Sequence, residues 1–383
     1  MRFFLTICFL IAIGQVKGQL PDSENFPDKD IFKYLEIKTH FGAFLKSDDM
    51  LGNSGLLDNG YAGVTVKLGW QPTNPESWAS RYGYPSYGVG FYSGFLSNAE
   101  VFGNPNAVYG FIKFPLSSSD KRTELAIEPS LGLTYKLNPY DEEINPLNNA
   151  IGARFAVYFN IDLGFTYKWT RELDLLYGLD FSHFSNGSTF KPNSGLNLYG
   201  FNLGLRYPYN AAQLRKNKDP YTNEILAARF KRPERSPRDK TKSNAISVYT
   251  AGGIAQSESM AGSDKVLGTF TGVIDYEHQF DEMNGISAGV DFFYDNRLRD
   301  RAPSDRWLTG LHAGYDFSFY KFSIRFQAGT YLGDDKGKGN FFMRPALRYN
   351  FSKRFFAQVG LKTLDGGAAD YIEYGIGFKP FYR

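Results

Sequence analysis

His183 and Ser185 are the residues of this chain whose types and spacing suggest chemistry. They lie in the stretch DFSHFSNGSTFKPNSGLNLYGFNLGLRY, which runs from Asp180 to Tyr207. In an extended strand the two side chains point to the same face, about 6.6 Å apart at about 3.3 Å per residue. Asn197, in the next apolar segment, has the matching phase. A serine, a histidine and an orienting third group on one face are the components of a nucleophilic acyl-transfer site.

The face that carries these three residues is otherwise apolar. His183 shares its phase with Leu175, Tyr177, Leu179 and Phe181, and Asn197 shares its phase with Tyr199, Phe201, Leu203 and Leu205. In a membrane barrel, apolar side chains face lipid and the alternate positions face the lumen. We therefore expect the three residues to project outward, at the rim where the two segments meet.

The other histidines and charges predict a polar interior. The residues expected to be structural or solvated there are His40, His312, Glu36, Asp275, Glu277, Arg344, Arg348 and Glu373, and His278 is expected to be structural or solvated near a short turn. The sequence contains no glycine-rich phosphate loop, no carboxylate pair at glycosidase spacing and no metal-ligand cluster. We therefore expect a mechanism without a metal ion or an organic cofactor.

Residues 1–18 have the features of a cleavable secretory signal. Arg2 gives a positive start, an apolar stretch runs from residue 3 to 13, and Val16-Lys17-Gly18 ends on a small residue. The only cysteine, Cys8, lies inside that stretch, so the exported chain would have no disulfide or thiol chemistry. Without Arg2 and Lys17 the excess of basic over acidic residues falls from three to one, which gives no electrostatic footprint for nucleic acid.

Period-two alternation predicts an all-β protein. The chain has 35 Phe, 26 Tyr and 40 Gly. After the signal it has no run of about 18 apolar residues, the length that a spanning helix needs. About sixteen segments alternate, and aromatic residues mark their ends as in the girdles of outer-membrane barrels; a soluble sandwich usually needs fewer strands. We expect residues 19–383 to form one transmembrane antiparallel up-and-down β-barrel of about 14–16 strands. The alternative is an eight-stranded barrel followed by a second β domain.

Residues 209–243 interrupt the alternation of short and long connections. Barrels of this class have short turns at the periplasmic end and long loops at the outer end. The loop between His183 and Asn197 falls among the outer ones, whereas 209–243 would be a periplasmic turn and yet is long, basic and polar. We interpret it as a disordered or loosely helical insertion. The alternatives are a boundary between two smaller barrels and a segment that binds an acidic partner.

The pattern around His183 and Ser185 is longer than these two residues. His183-x-Ser185-Asn186, followed by Asn193-x-Gly195-x-Asn197, resembles the signature of the lipid A 3-O-deacylase (PagL-type) family and its acyloxyacyl-hydrolase-like relatives. Members of this family are outer-membrane barrels that hydrolyse ester-linked acyl chains of lipopolysaccharide. The specific resemblance covers about Asp180 to Tyr207.

The resemblance also implies a role for each residue of the pattern. Ser185 would be the nucleophile and His183 the general base, while the oxyanion would be surrounded by Asn186, Gly187 and Asn193. The family has a Glu where this chain has Asn197. An amide can orient an imidazole, but it cannot neutralise the imidazolium, and loss of that carboxylate can cost a Ser-His pair on the order of 10⁴ in rate.

Taken together, these features predict an exported outer-membrane serine esterase whose partners are lipopolysaccharide and outer-membrane lipids. The acyl position that is cut and the oligomeric state stay open. An ester embedded in a bilayer does not easily reach a barrel lumen, so its enzyme needs a nucleophile on the outside. The alternative is a non-enzymatic barrel, porin-like or lipid-binding, which Asn197 and a lumen of about sixteen strands would favour.

Overall fold

The computed structural model of the chain describes residues 31–45, 60–118, 121–170, 173–209, 232–299 and 302–383. The predicted signal, 1–18, and residues 210–231 of the predicted insertion lie outside the described residues. Among the residues that the structure describes, no helix has the length and apolar character needed to cross a membrane.

Antiparallel strands make up most of the structure. The first eight are β1 (Ile31–Phe44), β2 (Tyr61–Pro72), β3 (Ser86–Leu96), β4 (Gly103–Pro115), β5 (Thr123–Leu137), β6 (Ala156–Lys168), β7 (Asp174–Ser185) and β8 (Leu196–Pro208). The next eight are β9 (Ser243–Ala255), β10 (Leu267–Gln279), β11 (Asn284–Asp295), β12 (Trp307–Phe319), β13 (Phe322–Leu332), β14 (Phe341–Asn350), β15 (Phe355–Leu364) and β16 (Ala368–Tyr382). The helical segments are short: Trp78–Tyr82, Ala99–Phe102, Glu258–Met260, Asn296–Leu298 and Pro303–Arg306.

The strands close into two barrels. β1 to β8 pair in sequence order and β8 closes on β1, while β9 to β16 pair in order and β16 closes on β9. The all-β, up-and-down barrel class is confirmed, in the alternative form of an eight-stranded barrel followed by a second β domain. The expectation of a single barrel of 14–16 strands is corrected. The free edge of β8 forms hydrogen bonds with β1, from Tyr34↔Pro208 to Phe44↔Leu198. This edge is therefore not available to pair with β9, as a single larger barrel would require.

Ion pairs fill the interior of each barrel, because eight strands enclose a space just wide enough for side chains. In the first barrel, Lys38 Nζ lies 2.7 Å from Asp162 and Arg206 donates to Glu36 at 3.0 Å. In the second, His312 lies between two carboxylates. The prediction of a polar interior is confirmed for the buried residues His40, His312, Glu36, Asp275, Glu277, Arg344, Arg348 and Glu373. His278 is half-buried and contacts Asn244 Oδ1 at 2.8 Å.

Arg344 is expected to be a sensitive interior position of the second barrel. Its guanidinium lies 2.6 Å from Asp291 and 3.1 Å from Glu373, and all three side chains are fully buried. Arg344→Met would leave the buried Glu373 carboxylate without its cation and Asp291 with His312 alone, so we expect a loss of about 3–5 kcal/mol in unfolding free energy. Thermal unfolding in detergent measures the loss, and Lys353→Met, on an exposed turn, is the control. An unchanged midpoint for Arg344→Met would contradict the expectation.

The outer faces of the barrels are apolar and exposed. On the first barrel, Leu179 is 63% exposed and Tyr199 is 50% exposed; on the second, Ile376 is 68% exposed. Isolated exposed apolar residues are common on proteins, but contiguous bands mark contact with another apolar phase. The alternation that the sequence predicted thus has its apolar side outside and its charged side inside.

The barrels lie side by side and contact each other near both ends. At the end where β8 finishes, Trp78 stacks on Tyr320 with ring centroids 5.0 Å apart, and Phe114 contacts Phe319. At the other end, which we call the site end, β7 finishes and β8 begins. Residues 209–243 connect the ends of β8 and β9 that are remote from the site end.

Candidate active site

His183 and Asn197 lie directly opposite each other on adjacent strands at the site end. They are partners in the register between β7 and β8. On the same face of these strands, the second pair away from them is Leu179↔Phe201. Leu179 and Phe201 are both exposed on the outer surface of the barrel. Because side chains alternate along a strand, His183 and Asn197 share that outer face.

A hydrogen bond joins the two side chains. His183 Nδ1 lies 2.6 Å from Asn197 Oδ1. An amide oxygen only accepts hydrogen bonds, so Nδ1 carries the proton and Nε2 of the neutral ring has a free lone pair. The contact therefore fixes the tautomer that a general base for a neighbouring hydroxyl requires.

Gly195 supports the histidine ring. It has φ of +74°, and a Cβ at this position would lie 2.9 Å from His183 Cε1. Its N–H donates to Ala150 O at 2.9 Å. A side chain here would be strained and would crowd the imidazole. The sequence pattern contained Gly195, but its packing role was not predicted.

Ser185, the last residue of β7, sits among hydrogen-bond donors. Its Oγ accepts from Asn193 Nδ2 at 2.9 Å and from the Gly187 N–H at 3.1 Å. Asn193 Oδ1 in turn accepts from the Asn186 N–H at 3.0 Å, which fixes the amide with its NH₂ group toward Ser185. Two donors that converge on a nucleophilic oxygen are also placed to bind an oxyanion formed beside it.

The Asn186 side chain has a different task. Its Nδ2 donates to Phe190 O at 2.9 Å, and its Oδ1 accepts from the Phe190 N–H at 3.4 Å. These bonds close the site loop, which we define as residues 186–191. Asn186 therefore holds the loop through its side chain, while its backbone N–H orients Asn193.

The structure brings all six predicted site residues together, in two groups. His183 bonds Asn197, and Ser185 bonds Asn193 and Gly187. In the described part of the chain, no hydrogen bond joins Ser185 directly to His183, although they lie two residues apart on one face of β7. Catalytic hydrogen bonds are often long before substrate binds and tighten in the complex.

A second loop, between β5 and β6, buttresses the site. Asn148 is fully buried; its Nδ2 donates to Asn138 O at 2.6 Å, and its Oδ1 accepts from the N–H groups of Ala150 and Ile151. This turn presents Ala150 O to Gly195. No sequence prediction concerned this loop, because its contacts with 186–195 are between residues distant in the chain.

Two family models match the chain. Residues 64–206 match the model described as lipid A 3-O-deacylase (PagL), and residues 244–383 match the model described as acyloxyacyl hydrolase, C-terminal domain. The first match contains all six site residues, and the second contains nearly the whole of the second barrel. No curated protein matches the chain.

Solved structures are also similar to it. Neisserial surface protein A (NspA) shares 11% identity over 46% of this chain and 96% of that chain, with a TM-score of 0.30. The N-terminal β-barrel domain of Pseudomonas aeruginosa OprF shares 10% identity over 45% and 97%, with a TM-score of 0.26. A mutant Rh. blastica porin shares 8% identity over 91% and 99%, with a TM-score of 0.20. The chain is thus similar to the lipid A 3-O-deacylase family over residues 64–206 and to the acyloxyacyl hydrolase C-terminal domain over residues 244–383.

Proposed function

We propose that this protein removes an ester-linked acyl chain from lipid A, with Ser185 as the nucleophile and His183 as the general base. The observation that carries the proposal is the hydrogen bond between His183 Nδ1 and Asn197 Oδ1 on the outer face of the first barrel. It leaves Nε2 free on the face that carries Ser185. The match of residues 64–206 to the lipid A 3-O-deacylase model supports the 3-O ester as the bond that is cut.

The proposed location is the bacterial outer membrane, reached through a cleaved signal at residues 1–18. Support comes from the exposed apolar faces of both barrels, in which Leu179 and Ile376 are examples. The strands are 10–15 residues long, enough to span a bilayer at a tilt, which takes about 9–11 residues. In this setting an acyl ester in the outer leaflet meets the outer face of the barrel, where Ser185 lies.

The reaction follows the two steps of serine acyl transfer. Ser185 Oγ attacks the ester carbonyl carbon while its proton passes to His183 Nε2, and the carbonyl oxygen becomes an oxyanion. The Gly187 N–H and Asn193 Nδ2 stabilise that oxyanion. The carbon–oxygen bond to lipid A then breaks, and His183 returns the proton to the leaving sugar oxygen. Water, deprotonated by His183 Nε2, then attacks the acyl-Ser185 ester; the bond to Ser185 Oγ breaks, His183 returns the proton to that oxygen, and the fatty acid is released.

Asn197 sets the efficiency of the first step. Its Oδ1 holds the Nδ1 proton of His183, but the amide has no charge to offset the imidazolium. We expect Asn197→Glu to keep the contact and add that charge. Stabilising the transition state by about 1.4 kcal/mol would raise kcat roughly tenfold. Initial rates of fatty acid release from lipopolysaccharide by the two proteins measure the change.

Asn197→Leu is the matching loss variant. Leucine suits an exposed apolar face, so the barrel should fold, while His183 loses its orienting partner. We expect kcat to fall about tenfold or more. Equal rates for wild type, Asn197→Glu and Asn197→Leu, in equally folded proteins, would show that Asn197 plays no part in the reaction.

The direct test of the proposed function uses the purified full chain in detergent with lipopolysaccharide. Chromatography and mass spectrometry should detect free 3-hydroxy fatty acid that accumulates with time and enzyme concentration. Binding of lipopolysaccharide without release of any fatty acid would instead support a non-enzymatic lipid-binding barrel. That second candidate is favoured by the amide at Asn197. A pore is no longer favoured, because the argument for it was a lumen of about sixteen strands. Each barrel has eight strands, and its interior contains buried ion pairs.

A further inference from the structure

The site loop of the first barrel is bonded to the second barrel. The Gln256 N–H donates to Ser188 O at 3.0 Å, and Ser188 Oγ donates to Ala369 O at 2.6 Å. Gln256 directly follows β9, and Ala369 lies near the start of β16. Ser188 is 1% exposed, so both bonds are shielded from water. The loop next to the nucleophile thus uses partners from another barrel.

The Gln256 side chain fastens the loop at a further point. Its Oε1 accepts from the Lys191 N–H at 2.8 Å, and its Nε2 donates to Ser263 O at 2.6 Å and to Lys265 O at 2.8 Å. Gln256 is 1% exposed. One amide therefore ties the end of the site loop to the loop between β9 and β10. An ion pair of 2.7 Å between Lys191 and Glu258 lies beside it.

The backbone held by these bonds is strained. Gly187 has φ of +62° and Ser188 has φ of +64°. Glycine adopts this region freely, whereas serine does so against a steric cost, and such residues persist where surrounding contacts hold them. The contacts at Ser188 come from Gln256 and Ala369. The adjacent Gly187 N–H is the group that points at Ser185 Oγ.

The second barrel also lies directly against Gly187. A Cβ added at Gly187 would overlap the Ile372 side chain and would lie 3.5 Å from Leu361 Cδ1. Ile372 belongs to β16 and Leu361 to β15. The peptide that carries the oxyanion donor is therefore packed between Ser185 on one side and the second barrel on the other.

We propose that the second barrel is a working part of the active site, in which Gln256 is a positioning residue for the site loop. Gln256 contacts no reacting atom; it holds Ser188 and Lys191 so that the Gly187 N–H stays aimed at the oxyanion. The inference rests on the proposed deacylation and adds that the first barrel does not build this site alone. It also assigns the C-terminal barrel a role in turnover.

The test compares Gln256→Ala with a matched control, Gln279→Ala, in the purified full chain. Gln279 is the same residue type in the same barrel, at the end remote from the site. Because small misplacements of a catalytic group cost up to about 10²-fold in rate, we expect Gln256→Ala to lower kcat by about tenfold or more. KM should change little, since the oxyanion donor acts in the transition state. Gln279→Ala should keep the wild-type kcat.

Gln256→Glu tests the acceptor role and the donor role of the Gln256 side-chain amide separately. A carboxylate still accepts from the Lys191 N–H, but it has no donor for Ser263 O and Lys265 O. If Gln256 works as a bridge, this variant also loses kcat, although it keeps its contact with the site loop. Wild-type kcat in both Gln256 variants, with an active wild type, would overturn the positioning role.

A spin label on the site loop gives a readout other than activity. The label is attached to Thr189→Cys in a chain whose only natural cysteine, Cys8, is changed to Ser. We expect Gln256→Ala to increase the mobility of the label, and Gln279→Ala to leave it unchanged. Unchanged mobility in Gln256→Ala would also overturn the inference. A wild type that releases no fatty acid would instead contradict the proposed function itself.

Discussion

Ser185→Ala is expected to reduce fatty acid release from lipopolysaccharide by about 10⁴-fold or more, because alanine has no oxygen with which to form the acyl intermediate. The fold should survive the change. Among the residues that the structure describes, the hydrogen-bond partners of Ser185 Oγ are Asn193 and Gly187, which are close to it in the sequence. Rates are compared on protein whose folded fraction has been measured by thermal unfolding.

Ser182→Ala is the control for this variant. Ser182 lies on the same strand but is buried inside the barrel, where Asn160 Nδ2 donates to its Oγ at 2.9 Å. Its loss should leave deacylation unchanged. Comparing the two variants therefore tests whether the reacting serine must lie on the outer face of the barrel, and not only whether a serine is needed. Continued release by Ser185→Ala would remove Ser185 from the mechanism, and loss of release in Ser182→Ala alone would place the chemistry inside the barrel.

Asn193→Asp is expected to lower kcat by about 10²–10³-fold, the usual cost of removing one oxyanion donor. Aspartate has nearly the same shape and still accepts from the Asn186 N–H, so the site loop keeps its anchor. It cannot donate to the oxyanion, and its negative charge opposes the charge that develops there. KM should change little, because the lost contact strengthens only in the transition state.

Asn193→Ala completes this test. It removes the donor without adding a charge. It also removes the acceptor for the Asn186 N–H, but the Asn186 side chain still closes the site loop through Phe190, so the loss in kcat should be smaller than that of Asn193→Asp. The order of rates should therefore be wild type, Asn193→Ala and Asn193→Asp, as measured by initial rates at saturating lipopolysaccharide. Equal rates for wild type and Asn193→Asp would mean that Asn193 does not stabilise the oxyanion.

Local alternation made the strands predictable, but it did not reveal how they pair. Each strand has an apolar outer face and a polar inner face, whether its barrel has eight strands or sixteen. The division depends on whether β8 bonds β1 or β9, and the pairs such as Leu35↔Tyr207 join residues far apart in the chain. The long polar stretch 209–243 was the only sequence signal of a boundary, and it allowed other interpretations.

The part of the site formed by residues close together in the sequence was predictable. The spacing of His183 and Ser185, and the phase of Asn197, predicted a shared outer face, and the register between β7 and β8 places His183 opposite Asn197. The task of Asn186 in closing the site loop depends on loop geometry that no periodicity describes. Gln256 belongs to another barrel, so nothing near Ser185 in the sequence pointed to it.

The central claim is most directly tested by mass spectrometry of lipid A from Gram-negative cells that express the wild-type protein or Ser185→Ala at equal levels. We predict that wild-type cells contain lipid A lighter by one 3-hydroxyacyl chain, together with free 3-hydroxy fatty acid. Cells with Ser185→Ala should have the lipid A of cells without the protein. Identical lipid A in all three, with folded wild-type protein in the outer membrane, would contradict the assignment as a lipid A deacylase.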